Sequence, residues 1–217
     1  MNESLVGKYP ILSSLGLAAA LAVSSNAGTP QDKAVDFSSS GTKTDLIVNT
    51  PNKLELIKSF ENSKGFAKGK WNKETQRWGI YDDFGKPAIA YGHRLTDKEI
   101  QSGKLITGAS YENGITDEEA DKLLALDIKI REQWIVKNIT TNYFHLPKNV
   151  QCAILVAVYR GDLLPSHKTA DFIKKGQFKN AAYEFLNNKN YKTTTLKGVQ
   201  NRMFAIAKIF NDYGNQK

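Results

Sequence analysis

The chain has 217 residues, 41% of them hydrophobic, with a formal net charge of +8 and a pI of 9.4. That length holds one domain of ordinary size plus an appendage, and a single cysteine, Cys152, excludes an intrachain disulfide framework. His93, His145 and His167 show no metal-ligand spacing, so neither a metal nor a cofactor is expected.

The positive charge is uneven. Residues 1–50 hold three Lys against four Asp/Glu, whereas residues 140–217 hold twelve Lys/Arg against four Asp/Glu. Such an excess attracts an anionic polymer over a long range. Nucleic acid, bacterial wall polymers and lipid headgroups all qualify, and so does a plain solvated surface.

Residues 9–31 carry no charged side chain and enclose the apolar run Ile11 to Val23, followed by Ser25-Asn26-Ala27. With Lys8 in front and small residues behind, the stretch resembles a secretory signal, although Glu3 offsets Lys8. Pro10, Gly16 and two serines dilute it too far for a stable span, which takes about 20 strongly apolar residues. A cleaved signal, a releasable anchor and a virion-embedded arm are all compatible, so transient membrane or virion association through residues 9–31 stays open. Residues 28–50 are rich in Ser, Thr, Gly and Asp and read as a linker with no core of its own. The division is a signal- or anchor-like segment with linker at 1–50 and the folded domain at 51–217.

Asn49-Thr50-Pro51 opens a helix with Pro51 at its first position, and Leu54, Ile57 and Phe60 recur at helical spacing. Glu61 follows at the edge of that apolar stripe, and Ser63-Lys64-Gly65 ends the helix. Position alone favours an ordinary exposed Glu. A carboxylate at a helix C-terminus, however, sits at the unfavourable end of the macrodipole, and the raised pKa suits a general acid. Residues 66–78 alternate basic and aromatic side chains, among them Lys70, Trp71, Lys73, Arg77 and Trp78. They read equally as a flap whose aromatics stack on sugar rings or as a solvated loop whose Trps cap the core.

Residues 78–92 alternate around Asp82-Asp83-Phe84-Gly85, a turn signal between two strands. Asp82 enters that turn, from which its side chain can reach back over the helix end carrying Glu61. Gly92-His93 closes the second strand, with His93 read as a structural tie rather than a base. Thr96-Asp97-Lys98-Glu99 and Thr116-Asp117-Glu118-Glu119 are capping boxes. The second starts a long helix with Ala120, Leu123, Leu124, Ile128 and Ile135 on one face. Pro147 opens an almost wholly apolar helix, Val150 to Tyr159, that buries Cys152 as an inert thiol and ends at Arg160-Gly161. Residues 165–175 and 177–187 form two more helices split by Gly176. Val199, Met203, Ile206, Phe210 and Tyr213 mark the last. The class is α+β, with a hairpin-bearing lobe in front and a helical lobe behind. Two carboxylates on separate elements flanking a groove are what cleavage of a glycosidic bond requires, and Glu61 and Asp82 are that pair.

Leu56-Ile57-Lys58-Ser59-Phe60-Glu61, Tyr81-Asp82 with Gly85, and Ile89-x-Tyr91-Gly92-His93 together resemble the bacteriophage-type lysozymes, glycoside hydrolase family 24. Gly114-Ile115-Thr116-Asp117-Glu118-Glu119-Ala120 with Asp127, residues 172–191, and Gly198-Val199-Gln200-Asn201-Arg202 extend the resemblance to residues 52–213. It implies a lysozyme-like fold: a small lobe with a β-hairpin, joined by a long helix to a mostly helical C-terminal lobe. It implies a muramidase acting on peptidoglycan at the N-acetylmuramic acid–N-acetylglucosamine bond, in the bacterial periplasm or cell wall, during phage infection or host lysis. Glu61 falls on the family's catalytic Glu and Asp82 on its catalytic Asp. Tyr91, His93, Trp71 and Trp78 complete the candidate set as substrate contacts. The family carries a water-positioning Thr in a Thr-Ile-Gly-x-Gly-His context. Here Ala88 and Ala90 replace that Thr and the first Gly, so the water-positioning group is unassigned, as is the role of Asp83. A lytic transglycosylase on the same substrate and a non-catalytic wall-binding or virion structural protein are the alternatives. Nucleic acid is not an expected partner, because no recognition motif accompanies the charge. The lysozyme domain is expected to act as a monomer.

Overall fold

The computed structural model describes residues 35–37, 47, 52–61, 71–83 and 85–216. The signal-like stretch at 9–31, Pro51, the Ser63-Lys64-Gly65 stop, residues 66–70 and Phe84 lie outside the described residues.

Helix α1 (Lys53–Phe60) starts two residues later than Pro51 would place it. Asn52 is the cap, its side chain accepting from the Leu54 N–H at 2.9 Å, because an Asn side chain satisfies an orphan N–H that a proline ring cannot. Leu56 and Ile57 are buried, and α1 ends at Glu61, whose N–H donates to the Ile57 carbonyl.

Two small antiparallel sheets follow. In the first, β1 (Trp71–Asn72) pairs with β2 (Arg77–Trp78), Trp71 opposite Trp78. In the second, β3 (Ile80–Asp82), β4 (Pro87–Ile89) and β5 (His93–Arg94) lie in that order. Tyr81 stands opposite Ala88 and Ala88 opposite Arg94, while Ile80 stands opposite Ile89 and Ile89 opposite His93. Side chains alternate along a strand, so Tyr81, Ala88 and Arg94 share one face and Ile80, Ile89 and His93 the other.

Both capping boxes form, at α2 (Asp97–Ser102) and α3 (Asp117–Asn138). The Trp78 indole N–H donates to Asp117 Oδ1 at 2.7 Å, and Trp78 bridges Ile115, so the first hairpin is pinned to the start of α3. Gly114 makes that approach feasible: it has φ +76°, and a Cβ there would lie 2.8 Å from the Trp78 carbonyl.

Helix α4 (Lys148–Tyr159) is the axis of the helical lobe, buried along most of its length including Cys152. Helix α8 (Lys197–Asn215) packs against it, α6 (Phe178–Leu186) and α7 (Lys189–Thr193) pack on α8, and α5 (Lys168–Lys174) packs on α6. Helices α6 and α8 touch backbone to backbone at Gly214, where a Cβ would fall 2.4 Å from the Lys179 amide nitrogen. The expected linker contributes to this lobe. Phe37 is buried against Tyr183 and Phe204, at 5.4 and 5.6 Å between ring centroids, and Ile47 is 1% exposed. Residues 28–50 therefore lend two apolar anchors to a core they were expected to leave alone. The architecture is α+β as expected, and no described helix is long and apolar enough to cross a membrane.

Candidate active site

Two helix ends from the two lobes meet at Glu61. Glu61 terminates α1, Arg160 terminates α4, and Arg160 Nη1 donates to Glu61 Oε2 at 2.7 Å. The Glu61 side chain is 10% exposed. Burial raises its pKa above the ordinary Glu value and outweighs the opposing charges of Arg160, Arg131 and Arg202. A largely dry carboxylate with a raised pKa is what a proton donor near neutral pH needs. Helix α1 is held on α3 by Lys53 with Glu132 and by Lys58 with Asp121, the latter at 2.7 Å.

The three-stranded sheet faces this carboxylate with Tyr81, Ala88 and Arg94. A Cβ on Gly92 would lie 3.5 Å from Glu61 Oε2 and 3.9 Å from the Tyr81 hydroxyl, so both oxygens border the same small volume. Gly92 has φ +89° and turns the chain between β4 and β5 there. Asp83 joins the same face: its Oδ2 accepts from Arg94 Nε at 3.0 Å, and its charge acts on both the Tyr81 phenol and the Arg160 guanidinium. Asp82 is exposed, and its Oδ2 accepts from the Gly85 N–H at 3.1 Å, which closes the hairpin turn. The structure thus brings Glu61, Tyr81 and Gly92 together, sets Asp83 and Arg94 beside them, and holds Asp82 on the neighbouring turn.

His93 is committed elsewhere. Nδ1 faces both Asp127 carboxylate oxygens at 3.1 Å, and Nε2 faces Glu99 at 3.1 and 3.2 Å. Burial opposes the imidazolium, but the Asp127 charge and hydrogen bond, then those of Glu99, raise its pKa to about 10. Glu99 also accepts from the Thr96 and Ile106 N–H groups. Burial works against its charge too, yet bonds to His93 and Thr96 lower its pKa to about 2. Asp127 continues the chain of charges to Arg131 at 3.8 Å, and Arg131 lies over the Tyr159 ring at 3.9 Å. The Tyr159 hydroxyl donates to the Tyr91 carbonyl at 3.1 Å.

Three expected substrate contacts are therefore corrected. Trp78 is 0% exposed and cannot stack on a sugar. Tyr91 is buried, its ring 5.1 Å from that of Trp78 with Lys58 over it. His93 is a strut between β5, α2 and α3, with both ring nitrogens occupied. Trp71 is half-buried, packed on Trp78 at 5.2 Å, and keeps some surface. No metal-binding group of His, Cys, Asp and Glu occurs among the described residues. The sequence reading missed Arg160, taken only as a helix stop, and Tyr81, named only among the residues that carry the family resemblance. The pattern at hand that pointed to either was the alternation of β3, which sets Tyr81 apart from Asp82. A family model described as phage lysozyme matches residues 72–205. No curated protein matches the chain.

Proposed function

The chain belongs to the phage lysozyme family, and from that premise we propose that it is a muramidase, cutting the bond between N-acetylmuramic acid and N-acetylglucosamine. Peptidoglycan hydrolysis is the general activity of the family, and peptidoglycan its substrate. The observation that carries the finer reading is Glu61: buried between two helix ends, ion-paired to Arg160, and held above its ordinary pKa.

Protonated Glu61 gives its proton to the glycosidic oxygen as the carbon–oxygen bond breaks. The second carboxylate is Asp83 rather than Asp82: strand alternation and the bond to the Gly85 N–H hold Asp82 off the Glu61 face, whereas Asp83 lies on it beside Arg94, and from there it stabilises the oxocarbenium-like sugar and takes a proton from the attacking water. An inverting pair leaves roughly 6.5–9.5 Å for that water and a retaining pair roughly 5–5.5 Å; the family favours inversion. The basic C-terminal lobe brings the enzyme to an anionic wall. Action on the wall from the periplasmic side, in infection or in lysis, fits a chain that opens with a signal- or arm-like segment.

Mass spectrometry of soluble products from purified peptidoglycan tests the reading. Reducing-end muropeptides from the full chain and none from Glu61→Gln are expected; no product from either chain leaves only a fold kept for binding or assembly. One observation favours a lytic transglycosylase as the second reading. Ala88 is 0% exposed and offers no hydroxyl to hold water, in which case anhydro products would dominate.

A further inference from the structure

A general base has to be aimed as well as ionised. A carboxylate turns about its last side-chain torsion with little preference, and a water that it holds turns with it. Asp83 stands just past β3, and two bonds fix it there. Its N–H donates to the Lys86 carbonyl at 2.8 Å, which sets the backbone. Its Oδ2 accepts from Arg94 Nε at 3.0 Å, which sets the carboxylate. Arg94 lies on β5, and β4 runs between β5 and β3, so the arginine side chain spans β4 to make that bond. The Arg94 side chain is 11% exposed against 26% for Asp83, so the anchor is drier than the group it anchors. Among the described residues, none bonds to Asp83 Oδ1. The Asp83 charge also acts on Arg160, at the end of α4. Each carboxylate of the pair therefore has one arginine bonded to it, Arg160 on Glu61 and Arg94 on Asp83.

We propose that Arg94 is the positioning residue for the second carboxylate, holding Asp83 Oδ2 so that Oδ1 faces the attacking water. This rests on the muramidase reading with Asp83 as the base. A charge-assisted hydrogen bond is short and directional, and a bond to one oxygen fixes the direction of the other. As the glycosidic carbon–oxygen bond breaks, the Glu61 proton goes to the leaving oxygen. The new bond joins the anomeric carbon to the water oxygen, and the water proton goes to Asp83 Oδ1. Arg94 exchanges no proton in the step, since a guanidinium stays charged throughout the working range. It acts by holding the base in line, an effect that belongs to turnover and not to substrate binding.

The experiment is a kinetic cycle on purified peptidoglycan with the full chain, Arg94→Ala, Asp83→Asn and the double variant. Turnover is expressed per folded molecule, with the folded fraction read by circular dichroism. Asp83→Asn is expected to lower kcat by about 100- to 10,000-fold. Arg94→Ala is expected to lower it by about 100-fold, the scale for a misplaced group, with KM unchanged. The double variant is expected to be no slower than Asp83→Asn alone, because the anchor then has no base to aim. Should alanine unfold the sheet, Arg94→Gln gives the same cycle with the stem of the side chain kept. A kcat in the Arg94 variant equal to that of the full chain would overturn the assignment. So would losses that multiply in the double variant, which would mean that Arg94 acts through another group. Full turnover in Asp83→Asn would remove Asp83 as the base, and no soluble product from the unsubstituted chain would remove the muramidase reading; either takes this inference with it.

Discussion

Glu61 with Arg160 and His93 with its two carboxylates are both ionisable clusters buried beside the same small sheet, and they resolve burial in opposite ways. At Glu61 desolvation outweighs the arginines and the acid's pKa goes up. At His93 two carboxylates outweigh desolvation, and the charge is kept to about pH 10. Direct contact accounts for the difference: of the three arginines acting on Glu61 only Arg160 is bonded to it, whereas both carboxylates are bonded to the His93 ring. A carboxylate bonded to a single guanidinium stays ready to hold a proton, whereas an imidazole bonded on both nitrogens is locked. The first arrangement suits chemistry and the second suits architecture.

Replacing each centre separates the two roles most widely. Glu61→Gln removes the acid and is expected to lower kcat by about 100- to 10,000-fold with the fold intact; near-normal turnover would end the parallel. His93→Asn leaves Glu99 buried without its cation and Asp127 with Arg131 alone, and is expected to cost about 3–5 kcal/mol in denaturant titrations. The folded fraction should keep its pH profile.

The pH dependence of stability sharpens the contrast. Because the His93 pKa is raised from 6.5 to about 10, its contribution is complete below pH 6.5 and is lost as pH climbs toward 10. Because the Glu99 pKa is lowered from 4.5 to about 2, its contribution is complete above pH 4.5 and is lost as pH falls toward 2. Denaturant titrations across this range should show a plateau between those limbs, with the alkaline limb absent in His93→Asn. At the other centre, Arg160 lowers the Glu61 pKa. Arg160→Gln should therefore move the basic limb of kcat/KM to higher pH, and a shift to lower pH would reverse the assigned sign. The smallest effect expected is a fall in kcat/KM with added salt, as screening weakens attraction between the basic lobe and the wall.

Much of this frame was legible in the sequence. The two capping boxes, the apolar face from Ala120 to Ile135 and the β3–β4 hairpin are local patterns, and each formed where its chemistry required. Glu61 at a helix end was local too. The partnership with Arg160 was not, since the pair spans 99 residues and nothing near either residue records it. Trp78 misled for a related reason. Alternating basic and aromatic residues look the same in a flap and in a core cap until Ile115 and Asp117 arrive from further along the chain. Phe37 and Ile47 were hidden by their polar neighbours, because composition averaged over a Ser/Thr-rich stretch conceals single anchors.

The most direct test is a carbon-detected NMR titration of the Glu61 side-chain carboxyl in the full chain, with Glu61→Gln identifying the signal. A midpoint above the ordinary 4.5, rising further in Arg160→Gln, is the predicted result. A midpoint at or below 4.5 would mean that Arg160 wins over burial, and that Glu61 is a structural carboxylate of the same kind as Glu99.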